Sequence, residues 1–272
     1  MSAWKDLARV ALARGVAGWL TRTSRPLPSI DGVTLVVSPH PDDEILGCGG
    51  LLARQARGGR RVHVLLVTDG EASHPGHPTV TPAVLGARRR EESIRALGRL
   101  GIQQPRSAVT FLQVADGRLG RLPAAEGEAV IDVLAKWIRA DRPEVVCAPY
   151  LGGGSSEHDA VARWVAEALR RAGGGVLLEY PVWAWWRATR LRPRLRRGAV
   201  NYRLALDGLA QAKREALAEH ASQVASTPPW TRPVLPAALA RACGGGVEFY
   251  FRTDVAADTA APGTVATGRR HA

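Results

Sequence analysis

His40, Asp42, Asp43 and Glu44 fall within one pentapeptide, His40-Pro41-Asp42-Asp43-Glu44, directly after the apolar run Thr34-Leu35-Val36-Val37-Ser38. An imidazole and a carboxylate three positions apart can face one point, and a nitrogen/oxygen pair of that kind suits zinc or a similar divalent ion. The neighbouring Asp42 points elsewhere and is free to take a proton. A catalytic metal usually needs a third protein ligand and an open position for water. The best source of that ligand is Glu157-His158-Asp159, which follows a second apolar run at 144–149 and the triplet Gly152-Gly153-Gly154. The competing readings are structural: an acidic helix cap behind a chance histidine at 40–44, and a plain cap at His158.

Both histidines need elements that bring them together. Leu35 to Ser38 reads as a short buried strand, and Pro41 keeps His40 out of the helical region while suiting the first position of a helix. That helix would hold the acids in its first turn, at the positive end of its dipole, and continue through Ile45, Leu46, Leu51 and Leu52. Gly47, Gly49 and Gly50 let it lie close to the strand. His158 opens another helix, with Val161, Trp164, Val165 and Leu169 on one face. Along the chain, strands are expected at 33–38, 61–68, 108–113, 144–149 and 176–182, and helices near 44–57, 86–100, 125–140, 158–172 and 206–222. Such alternation predicts an α/β fold, a parallel sheet covered by helices. In the common doubly wound order the first and fourth strands are neighbours, and ligands bind beyond their carboxyl ends. The first expected strand delivers His40 to that crevice and the fourth delivers His158.

These residues resemble the PIG-L (LmbE-like) family of zinc-dependent N-deacetylases. The resemblance rests first on His40-Pro41-Asp42-Asp43-Glu44 with a distal histidine opening a later helix. Weaker matches are Thr68-Asp69-Gly70-Glu71, Arg89-x-x-Glu92-x-x-x-Ala96-x-x-x-Leu100-Gly101, Asp116-Gly117 and Lys213-x-x-Ala216-x-x-x-His220-x-Ser222-Gln223. Together they cover roughly residues 33 to 225. The resemblance implies a Rossmann-like three-layer sandwich with a mostly parallel central sheet, and removal of an N-acetyl or other N-acyl group from an amino-sugar conjugate. It implies zinc, or another divalent ion such as Fe2+, on His40, Asp43 and His158, with Asp42 as general base. It places Arg89 near the substrate, and Asp69 and His220 are further substrate-binding candidates. The chain departs from the family at the distal ligand: relatives commonly read His-Pro-Asp-His where this sequence reads Ser155-Ser156-Glu157-His158. A serine cannot replace an imidazole as proton donor to a leaving amine. Another group must then supply that proton, with His220 or a loop histidine the candidates, or turnover is slow. Glu157 stands where it can orient a neighbouring group.

Other histidines carry less information. His63 alternates with Val62 and Val64 on an expected strand, which suggests packing; His74 and His77 lie in a proline-stiffened loop on the rim of the site. The chain is long enough for a large core. Its three cysteines, Cys48, Cys147 and Cys243, have spacings that suggest neither a disulfide framework nor a cysteine zinc site. A net charge of +12 invites nucleic acid or an anionic surface. However, all but Lys5, Lys136 and Lys213 of the 37 basic residues are arginine, a pattern that codon bias also produces. The densest cluster, Arg187 to Arg197, follows Tyr180-Pro181-Val182-Trp183-Ala184-Trp185-Trp186, and it is read as packing with a contribution to the pocket rim, ahead of anionic lipid or glycan phosphate, with nucleic acid last.

The expected organisation is an amphipathic helical segment over 1–28, a single catalytic domain over 29–255 and a disordered tail over 256–272. Trp4, Leu7, Ala8, Ala11, Leu12 and Trp19 recur at helical spacing, which suits a helix packed on the core or, less favoured, a weak interfacial anchor. The apolar runs are too short to span a membrane, and the early charges argue against a secretory signal, so a cytoplasmic location is expected. The alternatives to an amino-sugar deacetylase are a deacylase of a non-sugar amide and a metal-stabilised glycan or anionic-surface binding module. Homo-oligomerisation is left open.

Overall fold

The computed structural model describes residues 3–258. The expected tail lies largely outside them, with His271, as do the side chains of Trp4 and Leu7. Among the described residues eight strands, β1 (Arg25–Pro26), β2 (Thr34–Ser38), β3 (Val62–Leu66), β4 (Val109–Phe111), β5 (Val145–Pro149), β6 (Gly175–Tyr180), β7 (Asn201–Ala205) and β8 (Val247–Val255), form one sheet in the order β1-β7-β8-β6-β5-β2-β3-β4. The described residues also form nine helices: α1 (Ala3–Thr23), α2 (Asp43–Arg57), α3 (Pro82–Arg99), α4 (Ala124–Asp141), α5 (Ser156–Arg171), α6 (Trp183–Trp186), α7 (Ala210–Glu219), α8 (Ala221–Val224) and α9 (Ala237–Cys243). Short 3-10 segments occupy Leu119–Arg121 and Ala188–Leu195.

Alternate residues of β2 show why the sheet is covered on both faces. Leu35 and Val37 join α4 and α5 in one core, through Leu134, Val161 and Val165. Val36 joins α2 and α3 in the other, through Leu51, Leu52 and Leu97. A parallel strand buried on both sides reads as a continuous apolar run, as 34–38 and 145–149 do. β2 pairs in parallel with β5, with Thr34 opposite Val145 and Val36 opposite Cys147. Both strands therefore end at the same edge, as the doubly wound order requires.

Two glycines let α2 settle onto its neighbours. A Cβ at Gly47 would meet the Tyr180 ring at 2.1 Å, and one at Gly50 would meet Leu206 at 2.2 Å. Tyr180 occupies the space at Gly47 because its hydroxyl lies 2.9 Å from the Val37 carbonyl and 2.8 Å from Ser38 Oγ, which ties β6 to the end of β2.

The last third of the chain differs from expectation. β7 and β8 are strands that the sequence pattern did not suggest, and β8 runs antiparallel between β6 and β7. The helix expected at 206–222 is broken at His220 into α7 and α8. At the amino end, α1 buries Ala13, Val16 and Leu20 in the core and leaves Leu12 and Trp19 exposed. Beyond β8, the Asp258 amide donates to the Arg170 carbonyl at 3.2 Å, so the chain after Val255 first runs along α5. No helix among the described residues is long and apolar enough to cross a membrane.

Candidate active site

The edge where β2 and β5 end holds the clustered polar residues. His40 lies two residues beyond β2. His158 lies in the first turn of α5, whose N-cap Ser155 accepts the His158 amide at 3.5 Å. Asp43 is the first residue of α2. His40 Nδ1 is 3.1 Å from Asp43 Oδ2, and His158 Nε2 is 3.2 Å from the same oxygen. These three ligand atoms lie within 4.8 Å of one another, close enough to share one ion. His158 Nε2 is buried, and its 3.2 Å contact with Asp43 Oδ2 lacks the alignment of a hydrogen bond. Two imidazole nitrogens and a carboxylate oxygen, with one nitrogen lacking a well-aligned hydrogen bond, fit a divalent ion of zinc type.

Asp42 departs from the expected helix. It is the N-cap of α2, outside its first turn, with φ 123 and ψ −31, a region that a side-chain-bearing residue seldom adopts. Two contacts hold this turn. Glu44 Oε2 accepts the Asp42 amide at 2.9 Å, and the Arg89 guanidinium donates to the Pro41 carbonyl and, at 2.9 Å, to the Gly70 carbonyl. In this turn the Asp42 carboxylate lies 3.5 Å from the Arg89 guanidinium.

Electrostatics separates the two adjacent aspartates. Burial pushes the Asp42 carboxyl up to about 6, an effect that Arg89 opposes and Asp43 reinforces. Burial also acts on Asp43, but His158 and His40 outweigh it and hold that carboxyl below its ordinary range. For His40, burial is overcome by hydrogen bonds to Asp116, Asp43 and Glu157, which raise it well above the usual histidine value. One carboxylate is thus poised to exchange a proton near neutrality while its neighbour stays ionised.

His40, Asp42, Asp43 and Arg89 line a cavity of about 270 Å³ together with Asp116, Glu157, Val182, Trp183 and Leu235. The other expected substrate residues are placed differently. Asp69 bonds Arg90 and Gln113 and does not line the cavity. His220 is fully buried, 3.5 Å from Glu44 Oε1, and neither of its ring nitrogens has a hydrogen-bond partner. The loop histidines are engaged elsewhere: His74 stacks on Trp230 at 5.0 Å, and His77 meets the same ring edge-on. His63 lies 3.3 Å from Asp141 and against Trp137.

Two residues gain weight from the structure. Asp116 Oδ1 and Glu157 Oε2 lie 3.1 and 3.0 Å from His40 Nε2, the nitrogen facing away from the ligand cluster. Carboxylates in that position fix the tautomer and orientation of a ligating imidazole. Asp116 was visible in the sequence only as one weak Asp-Gly match. The stronger signal was its place beyond the third expected strand, at the same edge of the sheet.

Fold and site together define an α/β protein with a two-histidine, one-aspartate cluster at the switch point of a doubly wound sheet. A family model described as PIG-L, GlcNAc-PI de-N-acetylase, matches residues 35–169. A 1D-myo-inositol 2-acetamido-2-deoxy-alpha-D-glucopyranoside deacetylase of Rhodococcus opacus (strain B4) is 31% identical over 247 residues, 74% of this chain and 85% of the relative. A 2'-N-acetylparomamine deacetylase of Streptomyces fradiae is 34% identical over 160 residues, 55% of this chain and 56% of the relative. Among solved structures, the 4-carboxy-2-hydroxymuconate hydratase of Pseudomonas putida KT2440 matches with TM-score 0.60 at 19% identity, covering 86% of this chain and all of that one. The chain belongs to the PIG-L family. Because a hydratase shares the architecture, the reaction has to be argued from the residues of the site.

Proposed function

We propose that the protein hydrolyses the N-acetyl group, or another N-acyl group, of an amino-sugar conjugate. The observation that carries this reading is the His40–Asp43–His158 cluster at the edge of a cavity that His40, Asp43, the buried Asp42 carboxylate and Arg89 line. The deacetylase relatives support it. His40, Asp43 and His158 would hold zinc, with Fe2+ the alternative ion. When bound there, such an ion lowers the pKa of water and polarises an amide carbonyl.

The chain's own groups then divide the work. Asp42, ionised at neutral pH and held by Arg89, accepts the proton of the attacking water. Arg89 keeps its guanidinium against the turn, so the carboxylate has little freedom to swing away. Asp116 and Glu157 hold the outer nitrogen of His40. Among the described residues no histidine other than His40 lines the cavity, which leaves neither His220 nor the loop histidines as proton donor. Asp42 itself, having taken the proton, is the group placed to return it to the leaving nitrogen. The three cysteines are free and buried, consistent with the reducing environment of a cytoplasmic enzyme.

The test is acetate release from a panel of N-acetylhexosamine conjugates and non-sugar acyl amines, by zinc-loaded protein and by the same protein after chelation. The proposal expects release from the sugar conjugates that stops on chelation and returns with zinc. Release confined to non-sugar amides would move the assignment to a general deacylase. A metallated protein that binds sugars and turns over none of the panel would favour a binding module.

A further inference from the structure

α1 leaves space beneath it. Between α1, α6 and the stretch from α9 into β8 lies a pocket of about 330 Å³, and none of the residues that line it also lines the cavity at the ligand cluster. Its inner wall is apolar: Ala13, Leu239, Trp185 and Phe249 are buried there, with the Trp185 and Phe249 rings 5.7 Å apart. No side chain of the described residues fills this space, so the wall lacks the dispersion partners that a packed core would supply.

Small residues keep the pocket open where packing does not require them. Gly18 on α1 and Gly246 ahead of β8 both line it. A Cβ at Gly246 would meet nothing within 4 Å, and one at Gly18 would meet only Arg22 Nη1 at 3.7 Å. Neither glycine has the positive φ that would exclude a side chain. The mouth, in contrast to the wall, is basic. Arg14 and Arg241 line the pocket and are exposed, so they stand where it opens to solvent. The Arg9 guanidinium lies 5.1 Å from the Trp186 ring centroid on the same rim. No acid lines the pocket, and neither Arg14 nor Arg241 is joined to one among the described residues.

We propose that this pocket is a binding site for a single-chain amphiphilic carboxylate, a fatty acid of medium length. Its alkyl chain lies between α1, α9 and the Trp185–Phe249 wall, and its carboxylate meets Arg14 and Arg241. The apolar depth selects the chain by taking its surface out of water. The arginines select the head, because a guanidinium pairs with a carboxylate through two parallel N–H···O bonds. The volume stands at the lower end of the range for small-molecule sites, about 300–1,000 Å³, which suits one chain and not the two of a phospholipid. The site is independent of the deacetylase reading, which concerns the other cavity.

The test is calorimetric binding of octanoate, butyrate and uncharged octanamide to the metal-loaded protein and to its G18L and R14A/R241A variants. The wild type is expected to bind octanoate at least about tenfold more tightly than butyrate, which carries the same head on a shorter chain, and at least about fivefold more tightly than octanamide. G18L fills the pocket and is expected to weaken octanoate binding about tenfold. R14A/R241A is expected to bring octanoate to within about twofold of octanamide. A carboxylate on the metal contributes equally in all three proteins and drops out of the comparison. Should G18L fail to fold, G246L fills the same pocket from the β8 side, and the exposed arginines can be removed without disturbing the core. Wild type that does not distinguish octanoate from butyrate, or variants that keep its affinity, overturn the site. Protein that sediments with phosphatidylglycerol vesicles but does not bind monomeric octanoate also overturns it, and makes this face a membrane contact instead. No turnover is read, so failure of the deacetylase reading leaves this result unchanged.

Discussion

Lys213 and His158 are buried to similar depth, at 1% and 3% exposure, but in contrasting surroundings. Lys213 Nζ donates to Glu248 at 2.7 Å and to the Leu46 carbonyl at 2.9 Å. Glu248 in turn accepts the Gly50 amide at 2.6 Å, the Leu51 amide at 3.0 Å and the Tyr250 hydroxyl at 2.7 Å. Each of its oxygens has a partner, and the network fastens α2 to α7 and β8. Around His158, by contrast, His158 Nε2, Glu44 Oε1, Arg89 Nε and both nitrogens of His220 make no well-aligned hydrogen bond, their nearest approaches being His158 to Asp43 at 3.2 Å and His220 to Glu44 at 3.5 Å, and Asp42 sits in a strained backbone conformation. A buried group kept for stability is normally satisfied. Loosely bonded polar atoms gathered beside a strained residue mark a site kept for binding or chemistry rather than for stability.

The first way to break that contrast is at the satisfied network. Lys213→Met strands the Glu248 charge, and we expect a loss of about 3–5 kcal/mol in urea unfolding. A loss below about 1 kcal/mol would deny the network its structural role.

The opposite sign is expected at Asp42. Its carboxyl lies at about 6 in the folded protein against an ordinary value of 3.8. Folding therefore favours the protonated form, and stability falls as pH rises from about 4 through 6. Asp42→Asn has no such loss. In protein stripped of metal it should be more stable than wild type by about 2–3 kcal/mol at pH 7, with the advantage vanishing below about pH 4. Unfolding free energies of both proteins across pH 4 to 8 read this directly, and a pH-independent difference would contradict the burial of an ionised Asp42.

A subtler change sharpens the role of the outer carboxylates. Glu157→Gln should weaken metal binding about 10–100-fold, measured by competition with a chromophoric chelator, while leaving unfolding of the metal-free protein little changed. The smallest effect is expected at Ser155. Ser155→Ala removes the N-cap of α5 and should cost about 1 kcal/mol. Ser155→His loses the same cap and adds an imidazole at the cavity; if Asp42 makes both proton transfers, turnover of the N-acetylhexosamine conjugates stays within about twofold, and a clear rise would show that Asp42 is a poor donor to the leaving nitrogen.

The sequence was most legible where local pattern and tertiary role coincide. Continuous apolar runs at 34–38 and 145–149 are what a doubly covered parallel strand needs, and the two histidines follow those runs. β7 and β8 were hidden because their pairing is non-local. β7 follows an arginine-rich stretch and β8 follows a proline- and glycine-rich one, and β8 joins the sheet antiparallel between strands more remote in sequence. The nearness of His40, Asp43 and His158 could be expected from spacing and strand order, but the conformation of Asp42 could not, because it depends on Arg89 and Glu44 holding the turn. His220 had a motif match, yet its place beneath Glu44 follows from how α7 packs on α2. Asp69 likewise carried a motif but spends its charge on Arg90. The aromatic and arginine segment was read as packing with a contribution to the pocket rim, and it divides in that way: Trp183 lines the cavity, whereas Trp185 turns into the core against Phe249.

The most direct measurement is acetate release by Asp42→Ala beside wild type, with metal content determined on the same samples. The account predicts that the variant keeps its metal, since His40, Asp43 and His158 are untouched, and loses about 10²–10⁴-fold in kcat. Activity within a few-fold of wild type in a fully metallated variant would contradict Asp42 as the base, and with it the division of labour between the two adjacent aspartates.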